Sequence, residues 1–284
     1  SGLKINKLKF NEISGLDLKQ LVVNFKATDR AMRLDGLLFR LNNNALSGAA
    51  RLDYNSLSQL INTPEISKVN VNLQAFTLSL SALFKFKPEL KNNKNLNILS
   101  KKQLTGNLNA SGTLALIQLT EAHINWGTTT QISADGTLQN ITNPTIMKFD
   151  IPQFYAKTKR SDIVQFIDEK KLRISLPNDV KLLGSFRGNP QDISAKAKLT
   201  TTQGIATLDG SFKNNSAITY DASITIEDYN VGEFLNNAQF GVLSLDVKSK
   251  GNGKTINTLN ATLEATVSKF QLNNYNIKDL KIKG

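Results

Sequence analysis

Apolar and polar residues alternate along most of this chain, and this alternation predicts β-strands. In the runs 218–226 and 259–267 every second residue is apolar or small, while the residues between them are Thr, Ser, Asp, Asn or Glu. Successive side chains of a strand point to opposite faces of a sheet, so each run gives one dry face and one wet face. Turn-forming Asn, Asp and Gly residues recur about every ten residues, which is typical of antiparallel hairpins.

Five breaks in the alternation share one pattern: apolar, two residues, apolar, one residue, apolar. Each break comes where a run of strict alternation ends, which indicates a strand that bends and then continues. A signature that returns five times predicts an array of similar β units, and such arrays function through a long surface rather than a single pocket. The five copies are Ile5-Leu8-Phe10, Leu73-Phe76-Leu78, Ile151-Phe154-Ala156, Ile226-Tyr229-Val231 and Val267-Phe270-Leu272.

Helices are expected to be few and short. The stretches that favour them are 56–61, 79–86, 161–168 and 232–237, and Ser161-Asp162 is predicted to cap the third. The stretch 87–103 is rich in Lys and Asn, which predicts a polar loop or linker. The predicted organisation is therefore an N-terminal β-repeat unit at 1–86, a linker at 87–103, and C-terminal β-repeat units at 104–284 that are truncated at the end.

These features predict a mostly β fold, in which repeated antiparallel hairpins form a curled, partly open β groove with few short helices. The predicted helices are too short to cover the dry face, and that face mixes Leu and Ile with Ala and Gly, which leaves space. A closed core, as inside a β-sandwich, is the alternative. In the groove interpretation the lining candidates are Leu108, Leu114, Ala197, Leu199, Ala206, Leu208, Ile224, Ile226, Leu245, Val247, Leu263 and Val267.

The chain of 284 residues is basic, with 35 Lys and Arg against 23 Asp and Glu. A basic surface favours anionic partners. Nucleic-acid-binding surfaces usually interleave aromatic residues with their basic residues, and aromatic residues are only 7% of this chain, so we expect no nucleic-acid partner. The densest basic cluster outside the lysine-rich stretch is expected to face solvent or lipid headgroups; its members are Lys157, Lys159, Arg160, Lys170, Lys171 and Arg173.

Catalytic chemistry finds little support in the composition. The chain has no cysteine and a single histidine, His123. Disulfides, thiol nucleophiles and Cys-based zinc sites are excluded, and a catalytic or metal-binding histidine needs partners that the sequence does not reveal. We interpret His123 as a strand-surface residue and expect a protein that is not an enzyme, with no catalytic residues, no metal site and no cofactor.

Several stretches resemble the AsmA-like superfamily, and most of all its TamB (translocation and assembly module) branch. The stretch 220–235, YDASITIEDYNVGEFL, is similar to the bent strand and short helix of that family. The stretches 34–41, 46–52, 241–251 and 275–284 resemble its strands. The resemblance covers most of the chain and rests on patterns of alternation and glycine. The sequence contains neither the family's N-terminal anchor helix nor its C-terminal domain, so we expect it to be a piece of a longer protein.

This resemblance implies a periplasmic segment of a protein anchored in the inner membrane. Such a segment would shelter lipid acyl chains along an apolar β groove during transport from the inner to the outer membrane. The implied partners are a phospholipid or other acyl lipid, the inner membrane through the missing anchor, and an outer-membrane barrel protein.

Two other functions stay open at this point. One is a scaffold that assembles or inserts outer-membrane β-barrel proteins by strand addition. The other is an extracellular adhesin or glycan-binding β array, although one Trp and five Tyr give it little support. Lipid carriage is favoured because each CH₂ group removed from water is worth about 0.8 kcal/mol, so an apolar track greatly lowers the cost of moving an acyl chain.

Overall fold

The chain folds into two compact units, Ser1–Lys148 and Phe149–Gly284, built almost entirely of antiparallel β-strands. The computed structural model describes residues 2–11, 17–141, 143, 145–255, 258–273 and 275–284. The boundary between the units lies after Lys148 rather than in the expected linker at 87–103, which belongs wholly to the first unit.

In the first unit each strand pairs antiparallel with the next strand along the chain. Short turns join most neighbours, and this favours a simple meander. Among the described residues no pairing joins the first strand of this unit to its last, so the unit is not closed into a barrel. The strands are β1 (Gly2–Asn11), β2 (Asp17–Ala27), β3 (Ala31–Leu41), β4 (Asn44–Asp53), β5 (Lys68–Leu78), β6 (Leu104–Thr113), β7 (Leu116–Trp126) and β8 (Thr130–Gln139).

The second unit repeats this arrangement, and two short final strands pair in turn with the same neighbour, β15. Its described first and last strands are likewise not paired with each other. The expected mostly β fold of repeated, open antiparallel hairpins is confirmed. The strands are β9 (Lys148–Lys159), β10 (Asp179–Asn189), β11 (Asp192–Thr201), β12 (Gly204–Asn214), β13 (Ile218–Asn230), β14 (Phe240–Gly253), β15 (Asn260–Leu272), β16 (Tyr275–Ile277) and β17 (Leu280–Lys283).

Each copy of the bent signature coincides with a shift in strand register. On β5, Leu73 and Phe76 are three residues apart, yet they oppose Leu108 and Gly106, which are two apart on β6. One extra residue in one strand is a β-bulge, which bends that strand and increases its twist. The predicted bend is therefore confirmed in all five copies, at 5–8, 73–76, 151–154, 226–229 and 267–270.

Short helices and 3-10 turns occupy the connections. Three predicted helices, at 56–61, 79–86 and 232–237, are confirmed to within two residues. The third prediction, 161–168, was wrong in extent because the helix ends at Ile163, and Asp162 is a buried residue inside it rather than a cap. The α-helices among the described residues are α1 (Leu57–Asn62), α2 (Leu80–Phe86), α3 (Lys94–Leu99), α4 (Arg160–Ile163), α5 (Glu169–Leu172) and α6 (Val231–Leu235), and the 3-10 turns are Pro64–Ile66 and Pro88–Asn92.

The stretch 87–103, expected to be a polar loop or linker, instead packs against the first unit through α3. The side chain of Asn93 caps this helix by accepting backbone N–H bonds. On its inner side Ile98 is buried, and the Trp126 Nε1–H donates to the Leu99 carbonyl oxygen at 2.8 Å. A six-residue helix with one buried residue leaves too little periodicity to recognise among so many lysines. None of the described helices is long and apolar enough to cross a membrane.

Two glycines on neighbouring strands of the first unit, Gly36 on β3 and Gly48 on β4, test the close strand packing at a bulge. A Cβ added to Gly48 would lie 2.1 Å from the Asn72 carbonyl oxygen at a φ of +152°, whereas a Cβ on Gly36, at a φ of +61°, would meet nothing within 4 Å. We expect Gly48→Ala to lower the free energy of unfolding by about 2–4 kcal/mol, because a backbone clash adds to the conformational strain.

The matched control, Gly36→Ala, should cost only about 1 kcal/mol, since it meets the unfavourable φ alone. Chemical denaturation followed by circular dichroism measures both. Equal losses for the two variants would contradict the packing described here.

Candidate functional site

The strand register of the second unit brings ten of the predicted lining residues to one sheet face. Directly opposed residues of antiparallel strands share a face, and the register joins Leu199 to Ala206 and Ala206 to Ile226. The same row continues to Leu245 and Val267. The next row joins Ala197, Leu208, Ile224, Val247 and Ala265 in the same way, and Leu263 lies on this face beside it. We call this surface the apolar face of the second unit.

A corresponding apolar face lies on the first unit. The predicted residue Leu108 belongs to it, opposed by Leu73 on β5 and Ala122 on β7. Leu114, the other candidate of this unit, lies outside the row in the bend after β6, where its N–H donates to the Ser67 carbonyl oxygen. Strict alternation placed Leu114 on the strand, but β6 ends one residue earlier, after Gly112 takes a φ of +130°.

These faces are only partly buried. Among the described residues nine apolar side chains are buried, and Val267 is the single one of the twelve candidates in that group. Ile224 and Leu263 are 37% and 38% exposed, and the remaining candidates are intermediate. A closed β-sandwich core would bury most of its inward Leu and Ile side chains. The described residues of each unit therefore form one layer of sheet whose apolar face stays accessible.

The short helices of the second unit lie at strand ends and leave the face open. Gly232 of α6 approaches β14 so closely that an added Cβ would lie 1.9 Å from the Phe240 carbonyl oxygen. Gln203, buried in the turn between β11 and β12, donates to the Ser175 carbonyl oxygen and accepts from the Tyr229 hydroxyl, both at 3.2 Å. Burial raises the pKa of Tyr229, which keeps this hydroxyl a neutral donor.

A furrow of small residues crosses the apolar face of the second unit. Ala195, Gly210 and Ala222 oppose one another in turn across β11, β12 and β13. Larger side chains flank this line on both sides, with Ile193, Phe212 and Tyr220 in one neighbouring row and Leu208, Ile224 and Val247 in the other. At β14 the Tyr220 hydroxyl lies 2.9 Å from the Ser249 hydroxyl and marks the end of the furrow. Sequence reasoning missed it, because its shape depends on which residues of different strands lie opposite each other.

Aromatic pairs on the same face were also not assigned from the sequence. Phe154 and Phe186 meet edge to face at 5.2 Å between ring centroids, and Phe240 and Phe270 stack at 6.1 Å. Such pairs add about 0.5–1.5 kcal/mol beyond the burial of their area. The alternation along β10 was a usable signal for Phe186.

The opposite face of each unit is polar, and that of the second unit carries cross-strand ion pairs. In the second unit Lys196 and Asp209 lie 3.0 Å apart, and Lys213 and Asp192 lie 3.2 Å apart. Exposed pairs of this kind stabilise the fold little, but they keep this face hydrated. Concave sites lie on this side too; one of about 580 Å³ in the first unit is lined mainly by polar residues, among them Arg33, Arg51, Asp53 and Lys68. The apolar candidate is thus an open surface with a furrow, not an enclosed pocket.

His123 lies on the polar face of β7. Its Nδ1 is 2.7 Å from the Ser133 hydroxyl and its Nε2 is 3.7 Å from the Glu121 carboxylate. A catalytic triad works in a shielded site with donors for an oxyanion, whereas these side chains lie on an open sheet surface and none of them is buried. This placement agrees with a strand-surface histidine, and the absence of enzymatic activity stays a prediction.

Two of the six members of the predicted basic cluster form ion pairs, and the other four form none among the described residues. The guanidinium of Arg160 donates two hydrogen bonds of 2.9 Å to Glu169, and this contact holds the pKa of the Glu169 carboxyl below its usual range. Lys159 lies 3.4 Å from Asp179. The four other members of the cluster are exposed, with no ion pair among the described residues: Lys157, Lys170, Lys171 and Arg173.

Comparison with family models, curated proteins and solved structures finds no match to this chain. The kinship with the AsmA-like superfamily therefore stays a prediction. Function has to be inferred from the fold and from where it places these side chains.

Substitution of small residues tests whether the apolar face is open. Ala197 lies in a partly exposed row, whereas Ala265 in the same row is 9% exposed. We expect Ala197→Leu to change the free energy of unfolding by less than about 1 kcal/mol, because the described residues cover this position only in part and the added methyl groups can extend away from the sheet. Ala265→Leu should cost about 1–3 kcal/mol through overpacking. Chemical denaturation measures both, and a large loss for Ala197→Leu would indicate a covered core.

Proposed function

We propose that the apolar faces bind the acyl chains of lipids, and that this chain is a non-enzymatic part of an envelope protein that carries lipids between membranes. The observation that carries the proposal is the continuous, partly exposed apolar face of the second unit with its furrow. Soluble proteins rarely expose contiguous apolar patches beyond a few hundred Å², and larger patches usually mark binding sites. An apolar ligand of matching shape is the simplest explanation.

The dimensions of the face suit an acyl chain. Neighbouring strands lie about 4.8 Å apart, so a row that crosses the seven strands β9 to β15 is roughly 29 Å long. This length is comparable with the hydrocarbon thickness of a bilayer, ~30 Å. The furrow of Ala195, Gly210 and Ala222 occupies three strands of one such row, about 10 Å, so the part of a chain lying in it would be flanked by Leu, Ile and Phe side chains.

The two faces would have different roles in a lipid carrier. Each methylene group that leaves water for the apolar face gains about 0.8 kcal/mol. The polar face, with its exposed ion pairs, keeps the protein soluble while lipid is bound. This division suits the periplasmic setting and the TamB-like kinship suggested by the sequence, and both belong to the proposal.

Photo-crosslinking tests the proposal residue by residue. Ile224 faces the furrow, and its neighbour Ser223 points to the polar face of the same strand. A photoreactive amino acid at position 224 should give phospholipid adducts, and the same group at position 223 should give at least several-fold fewer. The adducts are detected by mass spectrometry of protein purified from a host cell that has an inner and an outer membrane. Equal adducts at both positions, or none at either, would contradict lipid binding by this face.

The strand-addition scaffold predicts a different result in the same experiment. In that case client β-strands, and not lipids, would crosslink, and they would do so from exposed backbone-pairing positions such as those on β17 rather than from position 224. The outcome therefore separates the two functions.

A further inference from the structure

One end of the second unit carries a surface that combines exposed apolar and basic side chains. It lies on the segment 164–173, which begins directly after α4 and contains all of α5. Its four large apolar side chains are between 37% and 57% exposed, and its cations are exposed as well. We call this surface the docking patch; its members are Val164, Phe166, Ile167, Lys170, Lys171, Leu172 and Arg173. We propose that the docking patch binds the surface of an anionic lipid bilayer.

The segment that carries the patch is held firmly from its inner side. The Arg160–Glu169 pair bridges α4 and α5, and the Glu169 carboxylate also accepts the Leu176 N–H at 2.6 Å. Further along, the Ser175 N–H donates to the Phe234 carbonyl oxygen of α6 at 2.6 Å. These contacts anchor the segment through Glu169 and the residues that follow it, while its apolar and basic side chains stay exposed.

The charge of the patch favours an anionic partner. Glu169 is neutralised by Arg160, and Asp162 is buried, so Asp168 is the one exposed acid of the segment. Its carboxylate already accepts the Lys171 N–H at the start of α5. The three exposed cations therefore outnumber the one exposed acid of the segment, whereas Lys196 and Lys213 on the polar face of this unit are each paired with an aspartate.

The apolar members distinguish a bilayer from a soluble anion. Phe and Leu side chains beside Lys and Arg are typical of segments that lie in the bilayer interface, where the rings and methyl groups enter the acyl boundary and the cations meet headgroups. Exposed aliphatic side chains such as Ile167 and Leu172 add little to the binding of a soluble polyanion, whereas they gain free energy by leaving water at a bilayer. The inference goes beyond the proposed function, since the patch is separate from the apolar face and could bind a bilayer even if that face carried no lipid.

Co-sedimentation with vesicles tests the proposal on the full chain. The test variant is Lys170→Gln with Lys171→Gln and Arg173→Asn, which keeps a residue that tolerates the positive φ of position 173. Each Lys or Arg near an anionic surface contributes strongly to binding, so the triple variant should bind vesicles of phosphatidylcholine and phosphatidylglycerol roughly 10- to 100-fold more weakly. Binding to pure phosphatidylcholine should be weak for every form.

The charge-matched control removes three cations from the polar face of the same unit, Lys198→Gln with Lys248→Gln and Lys250→Gln. It should bind like the wild-type chain. Phe166→Ser with Leu172→Ser should remove the part of binding that persists at about 1 M salt, where charges are screened within ~3 Å. Circular dichroism confirms that each variant folds.

Three results would overturn the proposal. The first is an equal loss of vesicle binding in the test and control variants, and the second is failure of the wild-type chain to bind anionic vesicles. The third is binding of a soluble polyanion that the variant with Phe166→Ser and Leu172→Ser retains without loss. Lipid crosslinking from position 224, measured on the same variants, reports the proposed function separately. A chain that crosslinks lipid but does not bind vesicles would contradict only the docking patch.

Discussion

The structure depends on a constraint that its strands impose: each has a dry side, and the described residues provide no second layer to cover it. Most domains bury such a face against another sheet or a layer of helices. Here the helices are four to seven residues long, and in the second unit they are fixed at strand ends by contacts such as that of Gly232 with Phe240. The described residues therefore remove the apolar faces only partly from water, and an apolar ligand would cover the rest.

Keeping one face apolar over many strands requires the register to be maintained across every irregularity. A slip of one residue would turn every side chain to the opposite face. The bulges avoid this because the apolar residue after the bulge comes three positions later instead of two, as with Ile226 and Tyr229. The bent signature is thus the sequence form of a strand that bends without exchanging its faces, and it allows the apolar rows to cross the whole unit.

How much of this was predictable depended on the range of the interactions involved. Alternation is local, so it correctly placed Ile224 and Leu245 on one face and located the five bulges. Leu114 departed from its predicted strand because Gly112 changes the backbone direction just before it. The Arg160–Glu169 pair joins two helices separated by a turn, and the furrow needs three strands in register, so no local pattern could reveal either.

Thiol reactivity offers the most direct measurement of whether the apolar face is open and takes up lipid. Because the chain has no cysteine of its own, Ile224→Cys and Ser223→Cys each introduce a single thiol on opposite faces of β13. In protein stripped of lipid, both thiols should react at similar rates with a small maleimide, and added phospholipid should then protect only the one at position 224. A thiol at position 224 that is unreactive from the start would show a covered core, and one that phospholipid fails to protect would show that this face does not bind lipid.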